Sequence, residues 1–174
     1  GYRGEINLGI GPWVTELDRA LKSGFVITID YGYEAQELYS LGRALGTLQT
    51  YYRHSDLSSP YIRVGDQDIT AHVDFSTLAL EGESRGLESL GLFIQAQYLL
   101  GLGIERWIRE VDILNLTQFE RDSNVMAMRE LIAPDGLGEF KVLVQKKGEG
   151  NLDVGDLAPL GTLTDSFPIP LLGP

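Results

Sequence analysis

The spacing of apolar residues changes from a helical to a strand period early in the chain. Residues 11–24 have Pro12 in the position of a first helical turn and Gly24 where a helix would end. Four apolar residues recur between them at helical spacing, namely Trp13, Leu17, Ala20 and Leu21. The next run, FVITIDYG, is apolar up to Asp30 and predicts a short strand buried on both faces. A helix followed by such a strand is half of an α/β unit.

Four further helices are predicted downstream. The first has Asp74 or Ser76 as its N-cap, because a short polar side chain precedes an apolar run. The last begins with Thr117 and Glu120 in the spacing of a capping box. In chain order, these helices occupy residues 74–86, 95–103, 104–112 and 115–132.

Two more strands and two irregular segments complete the pattern. Residues 87–94 predict a second buried strand, and the alternation in residues 139–147 predicts a half-exposed one. Residues 33–73 show little periodicity and predict a long connection with a short helix at 35–41. This connection contains five tyrosines, which favours a packed cover over a site. Residues 149–174 predict an extended tail rich in Gly and Pro.

Composition excludes several classes of function. With 174 residues, 43% of them apolar and 22% charged, the chain can bury the core of one globular domain. A net charge of -11 disfavours nucleic acid and anionic membranes as partners, and suits a basic protein segment or serves solubility. The absence of cysteine excludes disulfides and thiolate catalysis. We therefore expect no membrane span and a location in the bacterial cytoplasm or in an organelle matrix.

The glycines of GIGP, residues 9–12, raise the possibility of a dinucleotide site. Such a site consists of a strand, a Gly-x-Gly loop, a helix and a second strand, and the residues up to Asp30 can be read in this order. The start of the helix would bind a phosphate, and Asp30, about 20 residues after the glycines, would bind a ribose. A third glycine is missing, and Pro12 removes a backbone N–H donor. The alternative interpretation is a turn before a helix that begins with proline, with Asp30 simply ending a strand.

Two polar clusters lie in or next to the long connection. Asp68, His72 and Asp74 could bind a metal, could position substrate with His72 as a general base, or could be structural, with Asp74 capping a helix. Tyr52 and His54 lie in the second cluster, TYYRH, whose aromatic rings either pack together or form a wall beside a cationic ligand.

The order of five motifs resembles the MidA family of class I S-adenosylmethionine-dependent methyltransferases. The motifs are TIDYGY, GTLQTYYRH, GDQDITAHVDF, LFIQAQYLLGLGI and LGEFKVLVQKKG, and the resemblance runs from Glu5 to Gly148. The mitochondrial complex I assembly arginine methyltransferase belongs to this family. The resemblance implies an α/β fold that is the C-terminal portion of a Rossmann-like methyltransferase sheet. FVITIDYG would be the fifth strand, LESLGLFI the sixth and EFKVLVQKK an antiparallel seventh.

The resemblance also implies which parts of the enzyme this sequence carries. Residues 1–148 would form the C-terminal half of the methyltransferase domain, followed by the tail at 149–174. No residues match the family's glycine-rich cofactor loop, so we expect the residues that bind S-adenosylmethionine upstream of Gly1 and interpret GIGP as an ordinary turn. The open edge of a half sheet would favour a homo-oligomer.

The residues expected to line the acceptor side follow from the same placement. The carboxyl ends of parallel strands bind ligands in open α/β sheets, which favours Asp30 and Tyr31. The full set is Asp30, Tyr31, Tyr52, His54, Asp68, Thr70, His72 and Asp74, with no metal. Asp30 or Asp68 would clamp a guanidinium, His72 would be a base or an orienting group, and Tyr31 and Tyr52 would be aromatic walls.

The expected substrate is an arginine-containing protein subunit of a respiratory-type NADH dehydrogenase complex. This expectation comes from the resemblance to the mitochondrial arginine methyltransferase. The alternative is a non-enzymatic module that uses its acidic surface to bind a partner or to act as an assembly chaperone.

Overall fold

A computed structural model describes residues 1–53, 55–57 and 59–148, with the side chains of 56 and 57 excluded. The candidate His54 and the predicted tail at 149–174 lie outside the described residues. The chain divides into two compact units. The first combines residues 1–22 with 31–87, and the second combines residues 23–30 with the chain from 88 onward.

Eight strands and six α-helices are found in the described residues. The strands are β1 (Gly24–Asp30), β2 (Gly32–Tyr33), β3 (Gln49–Tyr52), β4 (Ser55–Leu57), β5 (Asp68–Thr70), β6 (Val73–Asp74), β7 (Leu87–Ile94) and β8 (Lys141–Lys147). The helices are α1 (Ile10–Ala20), α2 (Ala35–Leu38), α3 (Phe75–Glu83), α4 (Gln95–Gly101), α5 (Ile104–Glu110) and α6 (Gln118–Glu130). Short 3₁₀ turns occupy Leu41–Arg43, Val111–Ile113 and Leu137–Glu139.

Helix α1 forms as predicted, but with a different buried stripe. Ile10 and Val14 are its buried residues, whereas Trp13 is 46% exposed. The helix packs against α3, where Arg85 just beyond its end donates from Nε to Thr15 Oγ1 at 3.0 Å. The prediction that the helix continues to Gly24 is wrong, because the chain leaves the helix after Ala20 and Gly24 opens β1 with a positive φ of 135°.

The first unit contains two small sheets where the sequence predicted a connection. Strands β4, β3 and β5 form an antiparallel sheet, and β2 pairs with β6 in parallel. The predicted connection at 33–73 therefore contains short strands that periodicity did not indicate, and α2 confirms the short helix. The strands of the antiparallel sheet are three or four residues long, too short to show a period in the sequence.

The second unit is built on a three-stranded sheet in the order β1-β8-β7. Strand β8 is antiparallel to β1, with the register running from Gly24 opposite Lys147 to Asp30 opposite Lys141. This confirms the predicted antiparallel last strand. Because β8 is central, its four residues from Val142 to Gln145 are all buried, and the prediction of a half-exposed strand is wrong.

Strand β1 is the opposite case, because it lies at an edge of this sheet. Ile27 is 45% and Ile29 is 50% exposed, so the prediction that the strand is buried on both faces is wrong for the described chain. The core of the second unit lies around Tyr98, Val142 and Val144, with Leu90 and other apolar side chains packed against them. The buried Gln145 donates from Nε2 to Ser89 Oγ at 3.2 Å, which satisfies a polar group that burial would otherwise penalise.

Helix starts and ends follow the local signals in the sequence. Asp74 caps α3, and the capping box of Thr117 and Glu120 is formed at the start of α6. Gly103, in the left-handed conformation, separates α4 from α5 as predicted. Within the described ranges, no helix has the length and apolar character needed to span a membrane.

Candidate acceptor site

The pairing of β2 with β6 brings Tyr31 and His72 together within the first unit. Val73 N donates to Tyr31 O at 3.1 Å, and Gly32 lies opposite Val73 in the register. A Cβ added at Gly32 would lie 2.2 Å from Val73 O, so only glycine permits this approach of the two strands. As a result, the rings of Tyr31 and His72 meet edge to face with centroids 5.4 Å apart.

His72 is held by aromatic rings on two sides. Its ring centroid also lies 5.2 Å from that of Tyr33, and its Nδ1 is buried. The guanidinium of Arg43 lies over the Tyr33 ring at 3.8 Å from the centroid. Hydrogen bonding to Tyr33 raises the pKa of Arg43 above its ordinary value, and the charge of Glu37 acts in the same direction. The imidazole is thus packed within a stack of rings and a cation.

The backbone of His72 is tied to the N-terminal segment of the same unit. His72 N donates to Thr47 Oγ1 at 3.0 Å. Thr47 in turn donates to Glu5 Oε2, from its backbone N at 2.7 Å and from Oγ1 at 3.2 Å. A Cβ on Gly46, which has φ +81°, would collide with the same carboxylate. These contacts hold the backbone at His72 against the segment that contains Glu5 and Thr47.

An open pocket of about 580 Å³ lies beside Tyr31 in this unit. Its lining residues are Tyr31, Tyr51, Arg53, Asp68, Ile69 and Thr70. Strands β3 and β5 provide most of them, because their register places Tyr51 opposite Asp68. The pocket therefore combines one carboxylate, one guanidinium, two phenol rings and a hydroxyl group, which suits a polar or cationic ligand.

Three of the sequence-predicted site residues, Tyr31, Asp68 and Thr70, line this pocket together. Tyr51, Arg53 and Ile69 were missed. Tyr51 lies in β3, which is too short to show a period in the sequence, and Arg53 lies just beyond that strand with φ 49°.

The ring of Tyr52 is contacted by two arginine side chains of the same chain. The guanidinium of Arg63 lies 4.1 Å and that of Arg53 lies 5.3 Å from its ring centroid. The ring is therefore placed to hold these two side chains, and its contact with a substrate stays a prediction. The predicted roles of His54, outside the described residues, and of Asp30, which belongs to the second unit, also stay predictions.

Asp74 is used within the fold. It is 7% exposed and accepts from Thr77 N at 3.0 Å, from Thr77 Oγ1 at 2.7 Å and from Tyr39 OH at 3.2 Å. Burial, followed by the charge of and hydrogen bond to Asp74, raises the pKa of Tyr39 above its ordinary value. The structural interpretation of Asp74 as a helix cap is thus confirmed, while a contact with substrate remains a prediction.

Two alternatives from the sequence find no support in the described part of the chain. No group of three or more His, Asp or Glu side chains there is arranged to hold a metal ion. A dinucleotide fingerprint needs a strand before its glycine loop, but residues 1–7 form none, and Gly9 is the N-cap of α1. The GIGP segment is the N-cap and the first turn of α1, with Pro12 inside the helix rather than at its first residue.

The family of the chain follows from comparison with known proteins. Residues 1–93 match the model of a family described as "Putative S-adenosyl-L-methionine-dependent methyltransferase". The chain belongs to this family. The matched region contains all six residues of the pocket in the first unit. No curated protein gives a significant match.

Two solved structures from Burkholderia thailandensis share the fold. One is an uncharacterized COG1565 superfamily protein, 36% identical over 87% of this chain with a TM-score of 0.76. The other, a COG1565 superfamily member bound to S-adenosyl-homocysteine, is 36% identical over 89% of this chain with a TM-score of 0.77. The chain spans 40% of the length of each of these proteins.

Proposed function

We propose that this chain is the acceptor side of a methyltransferase that transfers a methyl group from S-adenosylmethionine to an arginine of a protein. The observation that carries this proposal is the pocket in which Asp68 lies beside Tyr31 and Tyr51. Family membership and the S-adenosyl-homocysteine bound to a relative that is 36% identical support the methyl-transfer chemistry. We further propose that the methyl acceptor is arginine and that the protein is a member of the MidA family.

The carboxylate and the aromatic rings of the pocket complement a guanidinium. A carboxylate such as Asp68 can accept two parallel N–H···O bonds from a guanidinium, which fixes both its position and its plane. Tyr31 and Tyr51 line the same pocket, and the electron-rich face of a phenol ring attracts a cation. Thr70 adds a hydroxyl that can accept from a third N–H group.

The residues of this chain would supply alignment and proton acceptance. S-adenosylmethionine, when bound by the upstream part of the enzyme, supplies an electrophilic methyl group on a sulfonium. Methylation of a guanidinium nitrogen releases one proton, and Asp68 is the carboxylate in the pocket that would accept it. His72, which packs against Tyr31, would orient that ring instead of acting as the base.

The protein substrate would be an arginine-containing subunit of a respiratory-type NADH dehydrogenase complex. Support for this comes from the order of the five motifs that resemble the MidA family. The net charge of -11 suits a basic substrate segment. A non-enzymatic interaction module is not favoured, because the family match points to methyl transfer.

Calorimetric titration with S-adenosylmethionine tests whether the residues that bind the cofactor lie outside this chain. We expect no micromolar binding by this chain alone, because no residues in it match the family's glycine-rich cofactor loop. A longer protein that contains this sequence together with such a loop should bind. Micromolar binding by the chain alone would contradict the division, and lack of binding by the longer protein would contradict the methyltransferase proposal.

Mass spectrometry of peptides incubated with that longer protein and S-adenosylmethionine tests the acceptor. Arginine peptides should gain methyl groups and matched lysine peptides should not. Asp68→Asn should lower the rate, whereas Asp66→Asn, an exposed neighbour outside the pocket, should not. Equal methylation of lysine would contradict arginine as the acceptor.

A further inference from the structure

Two arginines with an unusual backbone conformation hold the same tyrosine ring. Arg53 has φ 49° and Arg63 has φ 56°, and in the described residues only one other non-glycine residue, Asp135, has a positive φ. L-residues with a side chain pay an energetic cost in this left-handed region. Arg53 and Arg63 both place their guanidinium groups against the ring of Tyr52. The energetic cost of their left-handed backbone is therefore associated with one arrangement of side chains.

A guanidinium near an aromatic ring can still donate hydrogen bonds to another group. A guanidinium that contacts an aromatic face keeps its N–H groups at its planar edge, where they can reach an anion. Arg53 and Arg63 are both exposed. Within the described ranges neither arginine is in an ion pair, whereas Arg43 is paired with Glu37 and Arg85 with Glu81.

The electrostatics of this cluster differ from those of the whole chain. Two cations converge on one ring in a protein whose net charge is -11. Like charges brought together repel each other, and a bound anion relieves that repulsion. A carboxylate is an anion that a pair of guanidinium groups binds with charge-assisted hydrogen bonds.

We propose that Arg53 and Arg63 form a subsite for an acidic side chain of the protein substrate. This inference rests on the proposed function, because Arg53 also lines the pocket in which Asp68 would hold the acceptor arginine. A substrate segment would therefore place its arginine against Asp68 and a nearby aspartate or glutamate against the arginine pair. The two arginines determine sequence specificity and do not touch the reacting atoms.

Binding of fluorescent peptides to the full chain tests this subsite. One peptide series has an arginine with a glutamate scanned along the flanking positions, a second has glutamine in place of the glutamate, and a third has citrulline in place of the arginine. We expect one glutamate position to strengthen binding about tenfold over glutamine at low salt. This preference should be lost in Arg63→Gln and in Arg53→Gln, and reduced in Arg63→Lys, which keeps the charge but not the planar donor edge.

A matched control and a folding check make the result decisive. Arg19→Gln removes an exposed arginine on α1 of the same unit and should keep the preference for glutamate. Denaturation midpoints identify a variant that fails to fold, in which case the other arginine carries the test. No preference for glutamate in the wild-type chain, or an unchanged preference in both folded variants, would overturn the inference.

The same peptides separate this inference from the proposed function. Preference for glutamate with equal binding of arginine and citrulline would support the subsite and contradict arginine as the acceptor. Preference for arginine over citrulline without preference for glutamate would support the acceptor pocket and overturn the subsite.

Discussion

The two three-stranded sheets differ in the length of their strands and in the burial of their side chains. The strands of the β1-β8-β7 sheet have seven or eight residues, and four consecutive side chains of β8 are buried. The strands of the β4-β3-β5 sheet have three or four residues, and among their described side chains Thr50 is the buried one. The β1-β8-β7 sheet can contribute large hydrophobic stabilisation, whereas the β4-β3-β5 sheet contributes little.

This difference indicates a division of labour between the two units. The pocket residues Tyr51, Asp68, Ile69 and Thr70 all lie on the small sheet, where most side chains face water and can meet a ligand. Binding residues are often found on such irregular, weakly buried segments. Substitutions in the large sheet should therefore change stability, and substitutions in the small sheet should change recognition.

Leu143→Ala should give the largest loss of stability. Leu143 is 2% exposed in the central strand, so its truncation removes apolar contacts and leaves a cavity. We expect the free energy of unfolding to fall by about 2–5 kcal/mol in a urea titration. The control Ile113→Ala, at a side chain that is 82% exposed in the same unit, should change it by less than about 0.5 kcal/mol. Similar losses in both variants would contradict the assignment of the core.

Gly32→Ala should weaken both stability and recognition in the first unit. The added methyl group would meet the backbone of Val73, which cannot move as a side chain can. We expect a loss of about 1–3 kcal/mol in unfolding free energy together with weaker binding of arginine peptides, because Tyr31 and His72 would shift. Gly42→Ala is the matched control, since its Cβ would make only an ordinary contact. An unchanged Gly32→Ala protein would disprove the tight β2–β6 pairing.

Asp74→Ala should destabilise the first unit without direct loss of a pocket group. The substitution removes the cap of α3 and the acceptor of the Tyr39 hydroxyl. We expect a loss of about 0.5–2 kcal/mol in a urea titration. Asp66→Ala, at an exposed position in the same unit, is the control and should have little effect. If Asp74→Ala abolished arginine binding while its stability stayed normal, a substrate contact would be favoured over the cap.

Glu120→Gln should have the smallest effect on stability, and the size of that effect should depend on pH. Hydrogen bonds from the Thr117 side chain and backbone lower the pKa of Glu120 below its ordinary value of 4.5. A lowered pKa means that the ionised form stabilises the folded state above 4.5 and that this contribution is lost as pH falls through the folded-state pKa. The difference in urea midpoint between wild type and variant should therefore shrink on acidification. A difference that grew at low pH would contradict the capping box.

Local signals in the sequence were sufficient for much of the fold. The capping box at Thr117, the cap at Asp74 and the existence of the strand at 87–94 depend on residues that are neighbours in the chain, and the structure confirms them. The prediction that this strand is buried is wrong, because within Leu87–Ile94 only Leu87 is buried. The burial of β8 and the exposure of β1 depend on which strands lie beside them, which periodicity does not report.

The candidate site could be predicted only in part for the same reason. Tyr31, Asp68 and Thr70 were selected from the resemblance and line one pocket. Strands β3 and β5 are too short for a clear period, so their pairing, and with it the role of Tyr51, was not visible. The contact of Arg63 with Tyr52 joins a residue of the segment before β5 to a residue of β3, and no sequence spacing indicates such a contact.

The most direct test of the acceptor pocket is the affinity of the chain for an arginine peptide and for its citrulline counterpart, measured with wild type and with Asp68→Asn. Wild type should bind the arginine peptide up to about fivefold more tightly, because an exposed charge pair contributes about 0.2–1 kcal/mol. The preference should disappear in Asp68→Asn while the urea midpoint stays unchanged, since Asp68 is exposed. Equal affinities in wild type, or a preference that survives Asp68→Asn, would contradict the pocket as the arginine site.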